Sequence, residues 1–204
     1  LAARAEFNND PHVEGTIFKE NQIQWAKLPR LNQFQIIVGH WDIAYSAAAT
    51  ADYNAVRVWG LKGNDFWNID SYVRQSKMRQ ALEWMVQFQL SLPKTVIVHW
   101  RFEGQFWNDE VQRTIREVEQ AAGVELHLVK VDLSRTKKYD RILTLQAYYQ
   151  NGRIYYNAAK KGHQDTQIGI AQLLGIEPGY KSHDDAPDAD EQAIRYLSKH
   201  TNPY

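Results

Sequence analysis

Acidic residues are concentrated near the end of the chain, where four of them fall within seven positions: Asp184, Asp185, Asp188 and Asp190. Pro187 suits the first turn of a helix, and carboxylates at a helix start interact favourably with the positive end of its dipole. Helix capping therefore explains one or two of these acids, but so many like charges repel one another unless a cation is bound. Asp185 and Asp188 are three positions apart, so one helical face presents both. The cluster is a candidate cation site.

Asp42 lies where the apolar stretch at residues 34–46 stops being purely apolar. At a period of two, both faces of this stretch are largely hydrophobic, which predicts a strand buried on both sides at the centre of a sheet. A carboxylate at the exit of such a strand is costly to desolvate unless a cation or hydrogen-bond donors meet it. Taken alone, Asp42 is more simply explained as a capping or loop residue.

Glu103 follows a second apolar strand, at residues 95–100, that is reached through a helix. Such a strand is normally parallel to its partner, so Asp42 and Glu103 are expected at the carboxyl ends of neighbouring strands. Glu103 alone is more simply a solvated loop residue. The last helix, predicted over residues 185–199, brings its acids across the same end of the sheet. Three or four carboxylates there match two Mg²⁺ or Mn²⁺ ions about 4 Å apart, which suits phosphodiester hydrolysis.

The elements that must position these acids follow the order three strands, helix, strand, helix, strand. After the central strand, the predicted strands are at residues 53–61, 66–74, 95–100 and 124–131. A hairpin joins the first two of these, which makes an antiparallel meander. Helical stripes cover residues 78–86 and 111–122, the second capped by Gly123. The sequence predicts an α/β fold with a mixed five-stranded sheet, three antiparallel strands then two parallel, flanked by helices. Beyond these elements it predicts a short strand at 153–156 and a helix at 164–174.

Composition limits the partners more than it identifies them. The chain has 204 residues, 24 Lys and Arg against 24 Asp and Glu, and no cysteine, which excludes a disulfide scaffold and thiolate-bound zinc. Zero net charge favours no particular partner, so DNA binding would rest on local basic patches. No apolar run is long enough to span a bilayer. Residues 1–33 are expected to be an arm or linker, and residues 34–204 one domain; a start at Leu1 suggests a piece of a longer protein.

Four stretches in a fixed order carry a resemblance to a known family. They are VGHWDIAYS followed by Asp52-Tyr53, VIVHWRFEGQFW, KKYDRI followed by NGRIYY, and HDDAPDADEQAI; FNNDPHVEGTIF near the start adds to them. Together they resemble the nuclease domain of the large terminase subunit of tailed bacteriophages, which has a ribonuclease H-like fold. The resemblance covers essentially the whole chain and implies a metal-dependent endonuclease that cuts concatemeric double-stranded DNA during genome packaging.

The family's functional residues carry over by motif. The resemblance implies catalytic roles for Asp42, Glu103, Asp185 and Asp188, and metal binding by these four and Asp184. Basic residues that could contact DNA are Lys137, Lys138 and Arg141, with Lys160, Lys161 and Lys181 as further backbone contacts. A solvated helix start explains the basic stretch at 135–141 equally well. His183 is a possible metal ligand, although a hydrogen-bonded loop histidine is the simpler interpretation.

The resemblance also implies partners that the chain itself does not contain. No GxxxxGK[ST] stretch occurs in it, so the expected ATPase motor domain would lie upstream of Leu1. The portal and the small terminase subunit are further expected partners, and the expected location is the bacterial host cytoplasm at the procapsid portal. Two alternatives stay open: another nuclease of the same fold, such as a junction resolvase or integrase core, and a non-catalytic module that grips DNA.

Overall fold

The computed structural model describes residues 15–45 and 51–201. Residues 1–14, which include the first part of the expected arm and of FNNDPHVEGTIF, lie outside the described ranges, as do residues 46–50 and 202–204. None of the helices in the described ranges has the length and apolar character needed to cross a membrane.

Strands and helices alternate along most of the chain. The strands are β1 (Gln24–Ala26), β2 (Ile36–Asp42), β3 (Asn54–Lys62), β4 (Asp65–Arg74), β5 (Val98–Glu103), β6 (Val129–Val131) and β7 (Ile154–Asn157). The helices are α1 (Met78–Ser91), α2 (Asp109–Ala122), α3 (Lys138–Leu143), α4 (Gln146–Gln150), α5 (Gln164–Leu174) and α6 (Asp185–Ser198).

The strands form one mixed sheet in the order β1-β7-β4-β3-β2-β5-β6. The pairs β2/β3 and β3/β4 are antiparallel, whereas β2/β5 and β5/β6 are parallel. The predicted core, three antiparallel strands followed by two parallel ones, is therefore confirmed. Consequently β2 is an interior strand, with β3 on one side and β5 on the other.

The predicted number of strands was wrong, because the sheet has seven strands and not five. Strand β7 pairs in parallel with β4, and β1 pairs in parallel with β7. Strand β7 has four residues and β1 has three. An alternating pattern over so few residues is too short to show that either strand joins the sheet. Strand β1 comes from the segment expected to be an arm, and Phe18 and Ile23 of that segment pack in the same hydrophobic cluster as Val38.

Both faces of the sheet are covered, which explains why β2 is apolar on both sides. Ile37 and Trp41 pack into a core with side chains of α1 and α2. Val38, on the opposite face, packs into a second core with side chains of α3 to α6. The first residues of α6 therefore reach the end of β2 from this second face.

The boundaries of β5 and β6 differ from those predicted. Strand β5 extends to Glu103, so this carboxylate belongs to the strand itself. Strand β6 begins only at Val129, because His127 has a φ of 55°, which interrupts an extended backbone. Gly123 has the left-handed conformation expected of the residue that ends α2.

Gly39 lets the sheet accommodate a large aromatic side chain at its centre. A Cβ atom at this position would lie 2.3 Å from two ring atoms of Trp100, which is 1% exposed on the neighbouring strand β5. Since the ring is confined on all sides, it has no free space into which to move.

Replacing Gly39 by alanine is expected to lower the free energy of unfolding by about 1–3 kcal/mol through overpacking. Urea denaturation followed by tryptophan fluorescence measures this loss. Gly162→Ala is the matched control, because no atom lies within 4 Å of its added Cβ. Equal stability of the Gly39 variant and the parent chain would contradict the assigned packing.

Candidate active site

Asp42 and Glu103 lie side by side at the carboxyl ends of β2 and β5. The parallel pairing of Trp41 with Phe102 brings the next residue of each strand to the same edge of the sheet. Burial raises the pKa of Asp42 well above its ordinary value, and the charges of Asp188, Asp185 and Glu103 act in the same direction. Burial and Asp188 likewise raise the pKa of Glu103. Carboxylates from three distant parts of the chain therefore share one electrostatic environment.

Helix α6 supplies the third group of acids through its first turn. Asp184 is the N-cap residue, and its carbonyl accepts a 2.9 Å hydrogen bond from the backbone N–H of Asp188. Asp185 and Asp188 are both buried, at 6% and 4% exposure. Apolar residues of the same helix, such as Ala189 and Ala193, pack against the sheet, and this packing holds the acidic turn at the sheet edge.

Lys138 and Arg141 of α3 partly neutralise the acids of α6. The Lys138 Nζ atom lies 3.4 Å from Asp184 Oδ1 and 3.8 Å from Asp188 Oδ2. Arg141 Nη1 donates to Asp188 Oδ1 at 3.0 Å and lies 3.6 Å from Glu191. Burial alone would lower the pKa of Lys138, but the carboxylates of Asp184 and Asp188 outweigh it and raise that pKa. Both cations thus have internal carboxylate partners, and Lys137 is exposed beside them.

Asp185 is oriented toward a different group of ligand atoms. Its Oδ2 accepts a 2.9 Å hydrogen bond from the Tyr53 N–H and lies 3.8 Å from His183 Nδ1, which is 3.5 Å from Asp52 Oδ1. Ligand atoms of Asp52, His183 and Asp185 all lie within 4.8 Å of one another. Burial raises the pKa of Asp185 to about 6, the Tyr53 hydrogen bond opposes this change, and Asp52 adds to it.

The acids form two adjoining groups and not one closed set of ligands. Within the part of the chain that the structure describes, Asp42, Glu103 and Asp188 do not meet the 4.8 Å separation that Asp52, His183 and Asp185 meet. Asp42 is nevertheless close enough to both Asp185 and Asp188 for their charges to raise its pKa. Oxygen ligands, strong mutual repulsion and incomplete neutralisation by Lys138 fit a hard divalent cation at this edge of the sheet.

Several side chains at the site were not assigned a role from the sequence. Gln105 Nε2 donates to Glu103 Oε2 at 2.6 Å, and Gln192 Nε2 donates to Asp188 Oδ1 at 3.5 Å. Asp52 follows the central strand at a distance, and only the fold brings it next to His183. The sequence spacing indicates the partners of the two glutamines, because Gln105 lies two residues after Glu103 and Gln192 lies four residues after Asp188.

Asp190, the last acid of the terminal cluster, has a structural partner. Arg57 Nε donates to Asp190 Oδ1 at 2.6 Å and Nη2 to Oδ2 at 3.2 Å, while Trp59 Nε1 donates to Oδ1 at 2.7 Å. Both charged side chains are fully buried. The buried arginine neutralises Asp190, so this acid does not require a bound cation. Arg57 within the apolar run of β3 is the signal in the sequence that points to such a partner.

Removing one member of the buried ion pair should be much more damaging than removing both. Asp190→Ala is expected to cost about 3–5 kcal/mol of unfolding free energy, because it leaves the Arg57 charge buried and unpaired. The double variant Arg57→Met with Asp190→Leu should lose less, as measured by urea denaturation. Glu117→Ala, which breaks an exposed ion pair with Arg79, should cost at most about 1 kcal/mol. Additive losses in the double variant would contradict this account.

Comparison with known proteins gives matches at the level of structure. No protein-family model matches the sequence, and no curated protein matches it. The nuclease domain of the human cytomegalovirus terminase, soaked with manganese and bound to an inhibitor, superposes with a TM-score of 0.62 at 14% identity, covering 89% of this chain and 95% of that one. The nuclease domain of the large terminase of bacteriophage SPP1, with bound manganese, gives a TM-score of 0.51 at 12% identity, covering 86% and 97%.

A longer relative places the match within a larger protein. The large terminase of a thermophilic bacteriophage, in complex with ADP, gives a TM-score of 0.57 at 15% identity and covers 91% of this chain, which spans only 45% of that protein. The identities are low, so these matches establish the fold. The chain has the ribonuclease H-like α/β fold of terminase nuclease domains.

Proposed function

We propose that this chain is a metal-dependent endonuclease domain of the terminase type, which cuts concatemeric double-stranded DNA during phage genome packaging. The observation that carries the proposal is the convergence of Asp42, Glu103 and the α6 acids at one edge of the sheet, where their charges raise the pKa of Asp42. Mn²⁺ in the solved structures of the cytomegalovirus and SPP1 nuclease domains supports a divalent cation as the cofactor.

In this proposal the acids hold two Mg²⁺ or Mn²⁺ ions. Asp42, Glu103 and Asp188 would move closer together to bind one ion. Asp185, which Tyr53 N–H orients at 2.9 Å, would contribute to the second together with Asp184 or the nearby His183. When bound, such ions lower the pKa of water and neutralise the charge on the leaving oxygen. Gln105 and Gln192 fix the directions in which Glu103 and Asp188 present their oxygens.

The basic side chains of α3 have a second role in this proposal. Lys137, Lys138 and Arg141 would contact the DNA backbone, but Lys138 and Arg141 already pair with Asp184 and Asp188. Cations bound to these acids would displace the two side chains, which would then be free to pair with phosphate oxygens. Metal binding and DNA binding would therefore strengthen each other.

The wider assembly belongs to the proposal as well. The thermophilic phage terminase binds ADP in its solved structure and is more than twice as long as the region that this chain matches. We propose that an ATPase motor accompanies this domain in the same polypeptide. The portal and the small terminase subunit would then direct it to DNA in the host cytoplasm.

Plasmid cleavage tests the assigned residues. The chain is expected to nick and linearise plasmid with Mn²⁺ and not with a chelator. Asp42→Asn, Glu103→Gln and Asp188→Asn should each reduce the rate by more than the roughly 10- to 100-fold loss typical of a residue that only orients a metal ligand. Asp109→Asn, an exposed acid at the start of α2, is the matched control and should cut normally.

Two results would contradict the nuclease assignment. Plasmid loss that is equal in the Asp42 variant would identify a contaminating enzyme. DNA binding without any cleavage would favour a module that grips DNA. A strong preference for four-way junctions over linear duplex would instead indicate a resolvase of the same fold.

Metal binding has an independent readout in thermal stability. At Mn²⁺ concentrations about 100 times the Kd, the native state should gain about 2.7 kcal/mol, which raises the Tm in proportion to the logarithm of metal concentration. Asp42→Asn should remove most of this rise, because it takes away a proposed ligand of the first ion and the carboxylate on which the charges of Asp185, Asp188 and Glu103 all act. Differential scanning fluorimetry measures the shift. A full Mn²⁺ response in Asp42→Asn would place the metal elsewhere.

A further inference from the structure

A polar cavity of about 360 Å³ lies next to the acidic site, between the end of α6 and strands β2, β5 and β6. Its charged lining residues are Arg101, Lys130, Arg195, Lys199 and Asp132, and His40 also lines it. Four basic side chains thus face one acidic side chain. In a protein with no net charge, this is a strong local excess of positive charge.

Most of this positive charge is not neutralised by the protein. Arg195 pairs with Glu191 at 3.2 Å. Among the described residues, no carboxylate oxygen lies within 4.0 Å of the charged nitrogens of Arg101, Lys130 or Lys199. Arg101 instead stacks over the Tyr196 ring at 4.0 Å, which orients its guanidinium without cancelling its charge. The cavity therefore carries positive charge that a bound anion would neutralise.

His40 supplies a buried polar group that has no partner within the protein. The residue is 1% exposed, and its Nε2 atom has no hydrogen-bond partner in the described part of the chain. His40 also lines the cavity, and leaving a buried polar atom unpaired is costly, so the residue points to a ligand that is missing here. An oxygen of a bound anion could accept a hydrogen bond from this ring.

Residues of the cavity and of the acidic site share one face of the sheet. His40 lies two residues before Asp42 on β2, and it is paired with Arg101, which lies two residues before Glu103 on β5. Two residues of a strand span about 6.6 Å, which is comparable with about two phosphate steps along a DNA strand, each about 3.4 Å of helix axis. Gln192 lines the cavity and also donates to Asp188. A DNA strand bound at the acidic site would therefore have these basic residues within about two phosphate steps.

We propose that this cavity binds a phosphate group, with the Arg101 guanidinium as its main contact and Lys130 and Lys199 at its rim. Resting on the proposed nuclease function, we infer that this group is a backbone phosphate of the DNA strand near the one that is cut. The planar guanidinium can donate two parallel hydrogen bonds to phosphate oxygens. The flanking lysines add positive charge and do not require a fixed geometry. Free inorganic phosphate is the other source of the same chemistry.

The experiment measures binding with a chelator present, so that it does not depend on cleavage. Inorganic phosphate is titrated into the whole chain while the imidazole resonances of its histidines are followed by NMR. Duplex DNA affinity is measured in parallel by fluorescence anisotropy at several salt concentrations. The variants are Arg101→Ala and the pair Lys130→Ala with Lys199→Ala, whose exposed side chains can be removed without harming the fold. Lys62→Ala with Arg113→Ala removes two exposed charges elsewhere as the control.

The proposal predicts that phosphate shifts one histidine resonance, that of His40, and that the Arg101 variant binds phosphate about tenfold more weakly or worse. The slope of log K against log salt for DNA should become shallower by about 0.9 when this contact is lost, and the control should keep its slope. Weaker phosphate binding with an unchanged DNA slope would support a phosphate site in the cavity. It would also show that a DNA backbone phosphate is not its ligand.

Unchanged phosphate and DNA binding in both cavity variants would overturn the proposal, as would equal losses in the control. These results are distinct from a failure of the nuclease assignment. If the chain cuts plasmid with Mn²⁺ but the cavity variants bind normally, only the cavity proposal fails. If it never cuts, yet the cavity variants lose DNA affinity, the phosphate site stands and the nuclease assignment fails.

Discussion

The buried ion pair between Arg57 and Asp190 is the constraint on which the geometry of the site depends. It joins the middle of β3 to α6, and Trp59 adds a further hydrogen bond to the same carboxylate. A buried charge pair tolerates little displacement, because separating it leaves two desolvated charges. The helix is thus fixed in both position and rotation. Its first turn then has only one place to present Asp185 and Asp188, beside the end of β2.

This fixed helix also organises charge on one face of a protein with no net charge. The acids of its first turn lie at the end of the sheet, while Arg195 of its last turn and Lys199, its C-cap residue, border the basic cavity. Acidic residues at a helix start and basic residues at its end both interact favourably with the helix dipole. The same distribution places the acidic site near the first turn of the helix and the basic cavity near its last turn.

The carboxylates of the acidic site are buried and repel one another, and a bound cation would reduce this repulsion. Asp42, Asp185 and Glu103 all have raised pKa values, for which burial is the leading cause. Lys138 and Arg141 relieve part of the repulsion at Asp184 and Asp188, although neither forms an ion pair with Asp42. Two neighbouring groups of acids, one around Asp42 and one around Asp185, are consistent with the two ions of the proposed mechanism.

The sequence by itself determined the central strands, the main helices and the acids at their ends, because periodicity and helix-end residues are local properties. It placed Asp42 and Glu103 on neighbouring strands, since a helical crossover nearly always yields a parallel pair. Only the tertiary structure decided that β1 and β7 join the sheet, since such short strands are specified by their partners. It alone distinguished Asp190, paired with Arg57 across 133 positions, from its neighbours near Asp42. Local sequence does not determine which charged side chains contact one another after folding. Only the tertiary structure therefore shows which partner each acid has.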